Sequence, residues 1–323
     1  MVSLQQQRLI WRSGFFLLFI LAPVLDIFRF DLNEDHFIIL WKPWVLGIDA
    51  AMSPMEILFN MIFRFLLPIS LVVSAGIFIS WKWGRLYCGW LCPHFSVVEM
   101  VNAVMRRASG QLSIWDKEKL PEAQQDGTKI KPHHLWWIGT VMVVVSFSFT
   151  WAVVLLTYLL PPAEIYSNLI NGELTRNQFT FIYVATMVFI IEFTFARHLF
   201  CRFGCAIGLF QSMVWMGNRK SLVVGFDRKQ VVLCADCDTS CEHACPMRLK
   251  PRGLKRNKFT CTQCMQCVTA CENVQAGKQN LPLLKMLDYH CAHDVSDRGF
   301  GHRPDIPAGC FNAENEGKKH CND

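Results

Sequence analysis

Four long apolar stretches constrain this chain more than anything else in it, at residues 14–30, 57–81, 135–160 and 179–195. A helix that crosses a bilayer needs roughly 20 mostly apolar residues. The second and third stretches meet that length outright, and the first and fourth do so with a few flanking aromatics. No small-x-small cleavage pattern follows the first stretch, so it reads as a retained helix and not as a leader. Hydrophobic residues make up 52% of the 323 and charged residues 18%, and the apolar ones are bunched. That is the composition of a membrane α-helical bundle with a polar tail. The formal charge of +6 gathers beside the apolar stretches, where basic residues set topology, and nucleic acid is not expected as a partner.

Lys and Arg counts orient the bundle. Eight lie between residues 82 and 134, against Arg176 alone in 161–176 and Lys42 alone in 31–56. Cytoplasmic loops carry the excess of positive charge. Both termini, the long loop and the tail are therefore expected on the cytoplasmic side of a bacterial inner membrane, where thiols stay reduced. The segment Trp41-Lys42-Pro43-Trp44 falls on the opposite face and reads as interfacial anchoring.

The tail carries the chemistry. It reads Cys234-Ala-Asp-Cys237-Asp-Thr-Ser-Cys241-Glu-His-Ala-Cys245-Pro246, then Cys261-Thr-Gln-Cys264-Met-Gln-Cys267-Val-Thr-Ala-Cys271. The second run has the C-x2-C-x2-C-x3-C spacing of bacterial ferredoxins, and the first is that pattern with one added residue. Four thiolates must converge on each cubane cluster, and one tight loop supplies only three. In two-cluster ferredoxins the fourth cysteine of each run serves the other cluster. The expectation is two [4Fe–4S] clusters, one on Cys234, Cys237, Cys241 and Cys271, the other on Cys261, Cys264, Cys267 and Cys245. Paired C-x2-C knuckles, the usual zinc arrangement, are not what these runs offer. Beyond them, Cys291, Cys310 and Cys321 stand as lone cysteines, and His290, Cys291 and His293 read as scattered solvent-side residues.

Four more cysteines sit in a repeat. Gly84-Arg85-Leu86-Tyr87-Cys88-Gly-Trp-Leu-Cys92-Pro93 follows the second stretch, and Arg197-His198-Leu199-Phe200-Cys201-Arg-Phe-Gly-Cys205-Ala206 follows the fourth. Each half then runs as an amphipathic stretch into a basic pair, Arg106-Arg107 or Arg219-Lys220. Cysteines four apart on a helix share a face, so each pair is expected as a unit at the cytoplasmic boundary. Pseudo-twofold packing of the second and fourth helices would bring Cys88, Cys92, Cys201 and Cys205 to one metal ion or cluster. Soft ligands favour Cu(I), zinc or iron–sulfur, and buried packing thiols are the plainer reading. Within the stretches, Glu192 lies near its cytoplasmic end and suits a quinone or proton role. Arg64 lies far from that side and suits a structural one.

These residues resemble the membrane-bound polyferredoxin family of NapH, NosR and CcoG (FixG/RdxA). Tyr87-Cys88-Gly89-Trp90-Leu91-Cys92-Pro93, Leu209-Phe210-Gln211-Ser212 and Ala270-Cys271-Glu272-Asn273-Val274 are CcoG-like, and the plan of four spans followed by two clusters is nearer NapH. Ala206 stands where that pattern has proline, and no fifth apolar stretch follows Glu272. The resemblance implies a helical domain at 1–218, a ferredoxin-like 2[4Fe–4S] domain at 219–280 and an extension at 281–323. It also implies electron transfer between quinol or a soluble donor and a partner redox protein or membrane complex. The alternatives are a copper reductase that assists assembly of a copper enzyme, and a relay subunit of a larger complex.

Overall fold

The computed structural model describes residues 3–48, 52–289, 291–292 and 310–311. Helix α1 (Leu4–Val24) starts well before the first apolar stretch, because Ser3 and Gln6 form a reciprocal capping box. Its polar opening turns face protein. Arg8 pairs with Glu99 at 2.5 Å, and Arg12 pairs with the same carboxylate. The helix ends at Val24 with Leu25 as its cap, and the chain turns at Asp26 with φ of 49°. Residues 28–30, expected inside the first span, instead open a three-stranded antiparallel sheet: β1 (Phe28–Asp31), β2 (His36–Ile39) and β3 (Lys42–Trp44). Arg29 fixes the turn by pairing with Asp26 at 2.5 Å and Asp31 at 2.7 Å.

Helix α2 (Pro54–Trp83) is capped by Ser53 and Glu56 and ends at Gly84, whose φ of +67° suits a residue without a Cβ. It bulges into a π-turn at Ile62–Leu66. Pro68 has no N–H for the Arg64 carbonyl four residues earlier, and the Trp44 indole donates to that carbonyl at 3.0 Å. The Arg64 side chain reaches toward the Val45 carbonyl, beside Gly47. Arg64 and Trp44 thus tie the sheet to α2.

The next elements are α3 (Leu86–Trp90), α4 (Pro93–Ser109), α5 (Trp136–Thr157), α6 (Pro162–Asn171), α7 (Arg176–Ala196) and α8 (Ala206–Gly217). Among the described residues, four helices, α1, α2, α5 and α7, are long and apolar enough to cross a membrane. Helix α5 packs along α7 and α4, while α2 packs chiefly on α8. The expected pairing of the second and fourth spans is therefore not the arrangement found. The most apolar window of α2 has no buried residue.

In the tail, β4 (Val223–Phe226) pairs antiparallel with β5 (Leu284–Leu287), flanking α9 (Ser240–His243) and α10 (Gln266–Gly277). The strand that closes this unit lies beyond residue 280. The unit is held by contacts with the helical part. Gln5 donates to the Cys264 carbonyl at 3.2 Å, Arg248 pairs with Asp116, and Gln125 N–H donates to Asp238 at 2.9 Å. Lys255 Nζ, buried in the interface, donates to the carbonyls of Trp215 at 2.9 Å and Asn218 at 2.5 Å and to Ser221 Oγ at 2.8 Å. These groups close the end of α8.

Candidate metal centres

The two cysteine runs fold alike. Each places a residue in the left-handed region just before a helix, Thr239 (φ 59°) before α9 and Met265 (φ 59°) before α10. The third cysteine of each run, Cys241 or Cys267, is then the second residue of that helix. The added residue of the first run is absorbed ahead of Thr239. There the Asp238 carboxylate accepts from the Ser240 N–H at 3.0 Å and from Gln125 N–H, closing an Asx-type turn.

Cys234, Cys237, Cys241 and Cys271 line one small cavity, with Arg252 at its wall. The second run thus contributes its last cysteine to the pocket of the first. Cys245 packs in one apolar core with Cys261, its thiol within electrostatic reach of Cys261 and Cys264, and Cys267 lies within reach of those three and of Cys241. Burial pushes the Cys241 and Cys245 thiols up to about 12. The bare protein therefore keeps them protonated, and a bound cluster, which needs thiolates, must displace those protons. Among the described residues, no three His, Cys, Asp or Glu side chains converge as the ligands of one metal ion. Four thiols around a cavity suit a polynuclear group better than a single ion, and this donor set fits iron–sulfur.

The C-x3-C pairs are not on continuous helices. Cys88 sits in α3, which breaks at Leu91, and Cys92 is the N-cap of α4. Cys201 sits in a π-turn, Phe200–Gly204, and Cys205 is the N-cap of α8, its Sγ accepting from the Gly208 N–H at 3.4 Å. Proline at residue 93 starts α4 at its first turn, and α8 starts without one. In both halves the second cysteine is the N-cap of the helix that follows. The four thiols lie within electrostatic reach of one another: Cys88 with Cys205, Cys92 with Cys88 and Cys205, Cys201 with Cys92 and Cys88. Cys92 and Cys201 also share one apolar core with Cys245 and Cys261.

Sequence reasoning passed over His94. Its Nε2 stands 3.2 Å from Glu192 Oε1, and its ring stacks on Phe193 at 5.3 Å. Glu192 begins the π-turn that ends α7 and lies close to Cys201. The place of His94, two residues past Cys92 and outside every apolar stretch, was the available signal. Among the tail cysteines, Cys291 and Cys310 are not lone thiols but form a disulfide, their Cα atoms 5.9 Å apart where the chain folds back beside β5. Cys321, His290 and His293 lie outside the described residues.

A family model described as a 4Fe-4S binding domain matches the chain twice, at residues 65–110 and 178–222. Each matched segment holds one C-x3-C pair. The "Putative electron transport protein YccM" of Escherichia coli (strain K12) is 24% identical over 214 residues, 62% of this chain and 52% of that protein. The "Regulatory protein NosR" of Stutzerimonas stutzeri is 25% identical over 208 residues, 59% of this chain and 25% of that protein. The matched part spans about half of YccM and a quarter of NosR. No solved structure gives a significant match. The chain thus carries the match to a 4Fe-4S binding domain twice and is similar to an electron transport protein and to NosR over part of their length.

Proposed function

We propose that this protein is a membrane-anchored electron carrier of a respiratory chain or redox complex. The observation that carries the reading is the line of cysteine sites leading from the tail to the mouth of the helices. Cys234, Cys237, Cys241 and Cys271 come first, then Cys245, Cys261, Cys264 and Cys267, then the two C-x3-C pairs. Clusters bound at the two quartets would supply one-electron redox chemistry at potentials set by burial and hydrogen bonding. The chain's own part is to present the thiols, exclude water and fix the spacing. Gly89 lies against Thr262, and Trp90 donates to the Gln263 carbonyl at 3.1 Å, so the first C-x3-C loop is docked on the second cysteine run. The C-x3-C thiols form the candidate third centre, for a further cluster or metal.

The electron donor in this reading is a membrane quinol. A cavity of about 740 Å³ opens between α1, α4 and α10, lined by Phe16, Met100 and Phe147 and by the Arg8–Glu99–Arg12 group. It offers an apolar wall and a charged floor beside Gln5, which touches the Cys264 backbone. The acceptor is a partner redox protein or complex, with the tail on the cytoplasmic side. The test is anaerobic purification in detergent, iron analysis and mixing with a quinol analogue. Cluster bleaching by the quinol is expected, and its loss in a Phe16→Trp variant would place the donor in this cavity. Iron-replete protein that no quinol analogue reduces would remove quinol from the proposal.

A further inference from the structure

Arg85 is the charged side chain that ligand positions alone leave unexplained. It follows Gly84 at the end of α2 and is 1% exposed. Its Nη2 donates to the Cys201 carbonyl at 2.8 Å and the guanidinium lies beside the Cys88 thiol, while Nε and Nη1 meet no oxygen or nitrogen acceptor among the described residues. Burying a guanidinium without an anionic partner is strongly unfavourable. The slot is nevertheless built closely around it. A Cβ on Gly208 would come within 2.9 Å of Cζ and 3.4 Å of Nε, so the backbone of α8 is pressed against the guanidinium.

It is set among the cysteine loops. Arg85 lies three residues before Cys88 and is bonded to the Cys201 carbonyl, and the preceding Gly84 is packed against the Gln263 side chain of the second cysteine run. Cys201, from the C-x3-C pairs, and Cys261, from that run, lie in one apolar core. A cation that neither site's ligand count requires thus stands between both.

We propose that Arg85 is the shared counter-ion of two thiolate centres, the C-x3-C site and the cluster held by Cys245, Cys261, Cys264 and Cys267, and raises the reduction potential of that cluster. The inference rests on the cluster reading of this quartet. Reduction adds one negative charge to a buried anionic group, and a fixed cation in a low-dielectric setting stabilises the reduced form more than the oxidised one. Arg85 therefore acts as a tuning residue, through charge and not through ligation.

The experiment is an anaerobic redox titration of the full chain in detergent, followed by electron paramagnetic resonance, after iron analysis. Arg85→Gln should lower one of the two cluster midpoint potentials and leave the other in place, and Arg85→Lys should restore most of the shift. Gly208→Ala keeps the charge but displaces the guanidinium, and it should move the same potential in the same direction. It also serves if Arg85→Gln does not fold. Full iron with unchanged potentials in these variants overturns the inference and leaves the cluster reading standing. An equal shift in Arg85→Gln and Arg85→Lys also overturns it, by making Arg85 a structural clamp on the Cys201 carbonyl. Wild-type protein without iron overturns the cluster reading itself.

Discussion

Replacing Gly89 with alanine should separate the membrane-side cysteine loop from the tail unit. Gly89 lies in α3, and its backbone is buried against the second cysteine run. A Cβ there would overlap the Thr262 carbonyl oxygen and come within 3.1 Å of the Thr262 carbonyl carbon and 3.3 Å of the Cys264 nitrogen. Relief requires the loops to part by about 1 Å, and rigid neighbours oppose it. The Gly89 carbonyl accepts from Arg8 Nε at 2.7 Å, and Trp90 is bonded to Gln263. Overpacking of this kind costs about 1–3 kcal/mol. Alanine in a helix otherwise gains about 1 kcal/mol over glycine, and Gly76→Ala, with nothing within 4 Å of its new methyl group, isolates that gain. The two variants should differ by about 2 kcal/mol in denaturant unfolding followed by tryptophan fluorescence. Gly89→Ala should also hold less iron. Equal stability and equal iron in the two variants would refute the docking argument.

Cys245→Ser should damage the cluster of Cys261, Cys264 and Cys267 and spare that of Cys234, Cys237 and Cys241, read as loss of one of two paramagnetic signals; about eight irons per chain should fall toward four. Loss confined to the first run's signal would show that each run serves itself. A reporter fused after Glu272, or inserted near Gln124, should be active only in the cytoplasm, and periplasmic activity at either site would reverse the topology. Lys255→Met should cost about 2 kcal/mol of stability by leaving the carbonyls of Trp215 and Asn218 without their charged donor, measured by denaturant unfolding. Unchanged stability would show that the desolvation of Lys255 cancels its bonds.

The parts readable from sequence were those whose physics is local. Ligand spacing in the two runs is a property of one loop each, and hydropathy over 57–81 or 135–160 is a property of one helix. The ends of helices were less readable. Residues 4–12 look too polar for a span, and they become helix because Ser3 caps them and Glu99, far along the chain, takes both arginines. The strands at 28–44 were hidden inside apolar sequence, and Trp44 passed as an interfacial anchor because its partner is a carbonyl freed by Pro68. The C-x3-C pairs were read as helical because four-residue spacing fits a helix. Each helix instead breaks between its cysteines, and the second half does so without a proline. The Cys291–Cys310 bond and the His94–Glu192 pair are tertiary meetings that no local pattern announces.

The place of Cys271 in the cavity of the first run has a consequence in time. Cys271 closes the cavity begun by Cys234, Cys237 and Cys241, so that cavity has an open wall until every residue in between has been made. At a synthesis rate of roughly 5–20 residues per second, the first run waits a few seconds for its fourth thiol. Cys245 waits in turn for Cys261. By then all four long helices have left the ribosome. The first run therefore emerges as an incomplete set of soft ligands, open to any thiophilic ion, and its protection in that interval must come from something other than its own fold.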